Sequence, residues 1–335
     1  MRRVAALPLV MSLLACEPDP AVNDDWHEAF DARSTGWLMA TFSPPGTAGK
    51  VRYAVGGAPD AGVVMRDDGH GWAPVALGAA GEGVPLLNWV TGFGEDAIVV
   101  VGGGGAVLRW DGAAWTREAT PTDQDLWGVW GPAADDLWAV GGTVTPGGHP
   151  VILHHDGIAW TEVALPTLQK GNVRAFFKVW GAGRDHALVV GQNGVVLRWD
   201  GAIWTEELVG ASADLIALWG TGKDHVVMVG GRGNAIVTTW DGVRWRTENL
   251  APLSGLNGVW MREPDVIHVV GTLGTVGELD FATLAPHVRS LSEDLDFHAV
   301  FGDEAGRISA VGGSFRSVVA PFEGMAWERE LDDGE

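Results

Sequence analysis

Val129-Trp130-Gly131, then Leu137-Trp138-Ala139-Val140-Gly141, then Asp156-Gly157-Ile158-Ala159-Trp160: this stretch decides the fold, because the chain repeats it. Its Val-Gly landmark falls at Val55, Val101, Val140, Val190, Val229, Val270 and Val311. The spacings are 46, 39, 50, 39, 41 and 41 residues. A strand-like pattern with a period near forty is that of propeller blades, about 40–50 residues each. The inner register is tighter still. Ten residues before the valine stand Trp130, Trp180, Trp219, Trp260 and Phe301, with Thr91 in the second copy. Five residues before it stand Asp96, Asp135, Asp185, Asp224 and Asp265.

Asp-Gly pairs at Asp68, Asp111, Asp156, Asp200 and Asp241 each have tryptophan four residues on, at Trp72, Trp115, Trp160, Trp204 and Trp245. The sixth copy has Asp280 with Leu284 in the tryptophan slot, and the seventh reads as Glu323-Gly324 with Trp327. Each copy reads as four short antiparallel strands, a to d. In the third these are Asp125 to Trp130, Asp136 to Gly141, Pro150 to His155, and a strand starting near Ala159. Asp-Gly supplies the positive φ of a tight hairpin turn and joins c to d. A sheet apolar on both faces is stable only when stacked between similar sheets, and closing the ring removes long exposed edges. The expected fold is an all-β, seven-bladed β-propeller of four-stranded antiparallel blades over residues 36–330. The tryptophan after Asp-Gly is expected between blades. The segment Asp24 to Thr35 is available as an edge strand that helps close the ring.

The repeat resembles bacterial lipoproteins built from Val-Trp-Gly…Asp-x-Trp-Ala-Val-Gly…Asp-Gly-x-x-Trp blades. It is more distantly similar to kelch blades, with their Gly-Gly after strand b and a downstream tryptophan. It also resembles the Asp-box turns of sialidases and photosystem II assembly factors. Here tryptophan follows aspartate by four residues, and the Ser/Thr that usually precedes the aspartate is missing. The resemblance implies architecture and no catalytic residue, since propellers host unrelated functions.

Met1-Arg2-Arg3 followed by the apolar run Val4 to Leu14 fits a secretory leader too short to span a bilayer. Leu13-Leu14-Ala15-Cys16 resembles a bacterial lipobox, which makes residues 1–15 a signal peptide and Cys16 the lipidated terminus of a tether over 16–35. The alternative is an ordinary signal peptide with an incidental cysteine. Cys16 is the chain's one cysteine, so no intramolecular disulfide forms. Several acyl chains on one residue supply the firm anchoring that a single chain does not. The expected location is the bacterial cell envelope, at the outer membrane, on its periplasmic or surface side.

The formal charge of −21 becomes −23 without Arg2 and Arg3, with 20 basic residues against 43 acidic. Nucleic acid, which needs Lys/Arg clusters over its phosphates, is excluded as a partner. The acid is spread over every copy and reads as solvation of a glycine-rich β surface. The tail 331–335 is acidic and solvated.

Candidate chemistry is thin. His154-His155-Asp156 occupies slots held elsewhere by Arg109-Trp110-Asp111 and Arg198-Trp199-Asp200, and adjacent strand residues face opposite ways. Asp185-His186 and Asp224-His225 fall in the a–b turn register, where the aspartate is expected to bond local amides. Asp135-Asp136 lacks the alternating oxygen ligands of a calcium loop. Gly102 to Gly105 lacks the Lys-Ser/Thr of a phosphate loop, and no Gly-x-Ser-x-Gly elbow occurs. The single tyrosine, Tyr53, lies on a strand whose equivalents are apolar. No catalytic residue, metal site or cofactor is assigned.

Two readings of function remain. The favoured one is a non-enzymatic envelope lipoprotein, monomeric, presenting a rigid propeller face to a protein or glycan. The other is an envelope hydrolase or lyase, glycosidase-like, with its site at the central channel. If a face binds, it is expected where the b–c and d–a connections share a rim. The third b–c stretch carries the extra residues Thr143 to His149, and the longest d–a connection follows at Leu165 to Arg174. His149, Gln169, Lys170, Asn172, Arg174 and Lys178 are the candidate ligand contacts there.

Overall fold

The computed structural model of the chain describes residues 26–314 and 322–331. Cys16, the expected signal peptide over 1–15 and the acidic tail from residue 332 lie outside the described residues. The described chain forms seven four-stranded antiparallel sheets arranged as the blades of a propeller. Every Val-Gly landmark lies on the second strand of its blade, and the a strands pack side by side around the axis.

Six blades are continuous in sequence. The third, for example, is Leu126–Ala133, Asp136–Gly141, Val151–His155 and Trp160–Glu162. The seventh is composite. Its a, b and c strands are Asp296–Gly302, Arg307–Gly313 and Gly324–Glu330, and its outer strand is His27–Glu28. The ring is therefore closed by the N-terminal segment, within the Asp24 to Thr35 stretch that the sequence offers as a closing edge strand. This corrects the seventh copy: Glu323-Gly324 is no c–d turn, because Gly324 pairs with Gly313 at the start of strand c. Trp327 accordingly sits on c. The third b–c connection also loses its singularity, since the seventh runs from Gly313 to Gly324.

The Asp-Gly turns work through both residues. Gly112, Gly157, Gly201 and Gly242 have φ between 84° and 95°, which favours glycine. The carboxylates of Asp111, Asp156, Asp200 and Asp241 each accept two backbone N–H groups from the turn, which holds them below the usual acidic range. These four aspartates thus serve their own turns.

Trp115, Trp160 and Trp204 are buried, and Leu284 fills the same slot in the sixth blade. Trp245 is only half-buried, contrary to expectation; its ring lies over the Arg198 guanidinium. Trp160 and Trp245 use their indole N–H groups alike. Each donates at 2.7 Å to a glutamate of the preceding blade, Glu118 and Glu207, which are themselves held by Arg109 and Arg198.

The Trp-Gly pair of strand a has its own role between blades. A Cβ at Gly181 would lie 2.5 Å from the Trp130 ring, one at Gly220 2.6 Å from Trp180, and one at Gly302 2.2 Å from Trp260. Each tryptophan lies over the glycine of the next blade. The sixth blade has Met261 in that position, and Trp219 instead donates to the Met261 carbonyl at 3.0 Å and meets Phe301 edge-on at 5.7 Å.

Candidate functional site: the channel and its loop-side mouth

Strand a of every blade contains a β-bulge at the same register. The pairing with strand b skips one residue after Leu38, Leu87, Leu126, Phe176, Leu215, Leu256 and Phe297. The skipped residues are Met39, Asn88, Trp127, Phe177, Ile216, Asn257 and His298, three positions before the aromatic landmark. An extra residue re-aims its side chain out of the ladder. Six of the seven line one cavity of about 340 Å³ at the b–c end of the channel. Asn88 instead turns its amide onto the Leu126 carbonyl at 2.9 Å.

Asn257 bonds the Phe297 carbonyl at 2.9 Å and His298 Nδ1 the Leu38 carbonyl at 2.8 Å, each in the next blade. A ring nitrogen facing a carbonyl must carry the proton, which makes Nδ1–H the donor. Burial pushes the His298 pKa down to about 4, against the carbonyl's opposite pull, and the Lys178 charge lowers it further. His298 is therefore a neutral donor at physiological pH.

At this mouth Trp127 and Phe177 meet edge-on at 6.4 Å, and Trp127 Nε1 donates to the Gly142 carbonyl at the root of the third b–c insertion. Arg232 stacks on Phe177 at 5.5 Å and is paired with Asp214 at 3.1 Å. Val144, carried by the insertion, reaches the same cavity while remaining 42 % exposed. The insertion is braced by Gln124, whose side-chain oxygen accepts from Thr143 N and His149 N.

The sequence-predicted residues divide into two groups. The roots of the two insertions do meet, since a Cβ at Gly142 would lie 2.1 Å from the Arg174 carbonyl. Beyond that root, the Leu165–Arg174 connection is tied outward. Gln169 N and Lys170 N bond Glu206, Lys170 Nζ bonds the Ala211 carbonyl at 2.5 Å, and the Asn172 carbonyl accepts from Asn193. Arg174 N bonds Gln192 at 2.8 Å.

Lys178 is not part of that basic spot. As a strand-a residue directly after the bulge at Phe177, it points into the channel and lines both this cavity and one of about 380 Å³ beyond it. Its ammonium donates to the Trp127 carbonyl at 2.7 Å and stands 4.3 Å over the Trp89 ring. Burial lowers its pKa to about 7.

The other polar candidates are engaged locally. His154 Nε2 lies 2.8 Å from Asp136 and its ring stacks on Trp138, whereas His155 is buried. His186 bonds Arg198, and His225 lies against Phe281. Tyr53 is fully buried in the core of the first blade. Among the described residues no group of three or more His, Cys, Asp or Glu is placed to hold a metal ion.

No protein-family model matches the chain, and no curated protein matches it in sequence. Solved structures match its fold. YCF48 from Cyanidioschyzon merolae superposes over 92 % of this chain and 99 % of its own at a TM-score of 0.65 and 14 % identity. The WD40 β-propeller domain of Doa1 covers 92 % and 98 % at 0.66 and 10 % identity. A structure described as YCF48 bound to D1 peptide covers 74 % of this chain and 92 % of its own at 0.53 and 16 % identity. Likeness at these identities extends to the propeller fold.

Proposed function

We propose that the chain is a non-enzymatic binding protein of the bacterial cell envelope, anchored by lipid on Cys16, that takes a protein partner at the b–c mouth of its channel. The observation that carries this is the apolar ledge of Val144, Trp127 and Phe177 beside Arg232. Aromatic and arginine side chains in a partly enclosed mouth are the residue types that dominate binding energy at protein interfaces.

Two further points support the reading. The N-terminal strand pairs His27 with Glu328, near the end of strand c where Glu330 faces Arg307 at the a–b rim. The described chain therefore begins at the rim opposite the ledge, and a tether joined there would leave the ledge facing away from the membrane. One structural neighbour is described as bound to a peptide, which is a precedent for a propeller of this shape.

The test is capture from envelope extracts with the intact protein, its Trp127→Ala/Arg232→Glu variant, and Ile158→Glu/Val243→Glu on the opposite rim. The ledge variant is expected to lose one specific protein that the opposite-rim variant retains. Retention by the ledge variant, with loss from the other, would place the face on the wrong rim. Recovery of a glycan in the protein's place would change the partner class.

A further inference from the structure

The repeat is broken at one level of the channel, and in two blades. Two positions before the aromatic landmark stand Ala40, Gly128, Ala217, Gly258 and Ala299 in five blades, but Trp89 and Lys178 in the other two. The small residues let neighbouring a strands approach closely; a Cβ on Gly128 would already lie 3.0 Å from the Lys178 backbone. The two large ones reach past the third blade and meet, ammonium over indole at 4.3 Å. Lys178 borders both cavities, and Trp89 the larger one.

No carboxylate lies within ion-pair distance of the Lys178 ammonium among the described residues. Apart from the buried second carboxylate oxygen of Asp303, which accepts no hydrogen bond, the charged and titratable groups around the two cavities are engaged elsewhere. Arg232 is paired with Asp214, and His298 is spent on the Leu38 carbonyl. Asp296 accepts from Leu273 N at 2.8 Å. At the far mouth Asp303 accepts from Ala305 N and Arg307 N, and Glu304 from Gly46 N and Ala48 N. A cation without a counter-charge in an aromatic-walled channel is costly to hold. Five blades solve the same position with a methyl group or less. Local rules broken without a folding gain are the mark of a functional position.

We propose that Lys178 is the anion-binding group of a small-molecule site inside the channel, and that its ligand is a monocarboxylate with an apolar, aromatic-sized body. One of the three ammonium donors is used on the Trp127 carbonyl, which leaves two for the two oxygens of a carboxylate. A single positive charge balances a single negative one; a phosphate dianion would enter the apolar channel half-compensated. The body of the ligand fits the larger cavity, whose walls include Phe42, Trp130, Trp180, Trp219 and Phe301. A concave, mainly apolar pocket with one well-placed charge is the common form of a small-ligand site. Lys178 borders the ledge cavity as well, but the ligand's body lies in the larger cavity beyond it, so the proposal does not depend on a partner at the rim.

The test uses the full chain in detergent and calorimetric titration with 3-phenylpropanoate and its uncharged analogue 3-phenylpropanamide. At pH 6, where the Lys178 ammonium is charged, the carboxylate should bind at least about tenfold more tightly than the amide. At pH 9, where the free amine is largely neutral, that preference should fall by about tenfold. Lys178→Met should bring the carboxylate down to the amide's level. Equal binding of acid and amide by the unaltered protein, or no binding of either, overturns the proposal, and this comparison needs no variant to fold. Unchanged carboxylate affinity in a folded Lys178→Met protein overturns it as well.

Discussion

A single added methyl group at Gly181 would place a carbon 2.5 Å from the Trp130 ring. The same carbon would lie 2.4 Å from the His186 carbonyl oxygen, so relief must come from the backbone as well as the ring. Gly181→Ala should therefore cost about 1–3 kcal/mol, whereas Gly171→Ala, with open space around it, should stay within about 0.5 kcal/mol. Urea denaturation of both variants measures the contrast. Lys178 has a pH signature of its own. Its folded pKa of about 7 lies below the ordinary lysine value, so between pH 7 and about 10 the unfolded chain holds a proton that the folded one has released. Unfolding free energy should rise across that window, on the order of 1–3 kcal/mol, and Lys178→Met should flatten the rise. His298 acts at the other end. With a folded pKa of about 4, it removes stability as pH falls from about 6.5 toward 4, because only the unfolded state takes up the proton. The Trp-Gly landmark was legible as sequence, but not its contact, because ring and glycine lie in different blades. Lys178 was legible as a residue and misplaced as a site. Its separation from Lys170 and Arg174 follows from its place on strand a, directly after the bulge.

At the level of the strand, the bulges are the feature that periodicity does not reveal. Strand a is mainly apolar with both faces covered, so an extra residue breaks no regular alternation of polar and apolar positions. The signal that does exist is alignment between copies. Met39, Asn88, Trp127, Phe177, Ile216, Asn257 and His298 share one register and little chemistry, which is what a ring of ligand-facing positions looks like in a repeat. The turns, by contrast, were read correctly wherever Asp-Gly stood between strands. The seventh copy misled because Glu323-Gly324 imitates that pair at the opposite end of strand c. Loops tell a mixed story. The third b–c insertion does reach the channel mouth through Val144, while the following d–a connection turns outward onto Glu206 and Ala211. Replacing Thr143–His149 with Gly-Gly removes little buried area. The thermal midpoint should shift by no more than about 4 °C, while partner binding falls strongly. A large loss of stability with binding intact would show that the insertion serves the fold alone.

For the molecule as a whole, closure sets direction. An N-terminal outer strand on the seventh blade ties the first described residues to the last and starts at the rim opposite the ledge. The fold was almost fully legible, since seven copies of one register leave few arrangements that bury both faces of each sheet. The binding face was legible only as a rim, because loop length reports insertions without reporting where they point. Anchoring is tested by Cys16→Ser, which should move the protein from the membrane to the soluble exported fraction; unchanged detergent-dependent association would refute lipidation. The central claim, that the b–c mouth is the face that meets a partner, is tested most directly by site-specific photo-crosslinking in intact cells. A crosslinker replacing Phe177 at the ledge should trap one discrete protein, and the trap should weaken when Arg232→Glu is added. The same group replacing Ile158, exposed on the opposite rim, should trap none. A discrete adduct from position 158 with none from 177 would contradict the account.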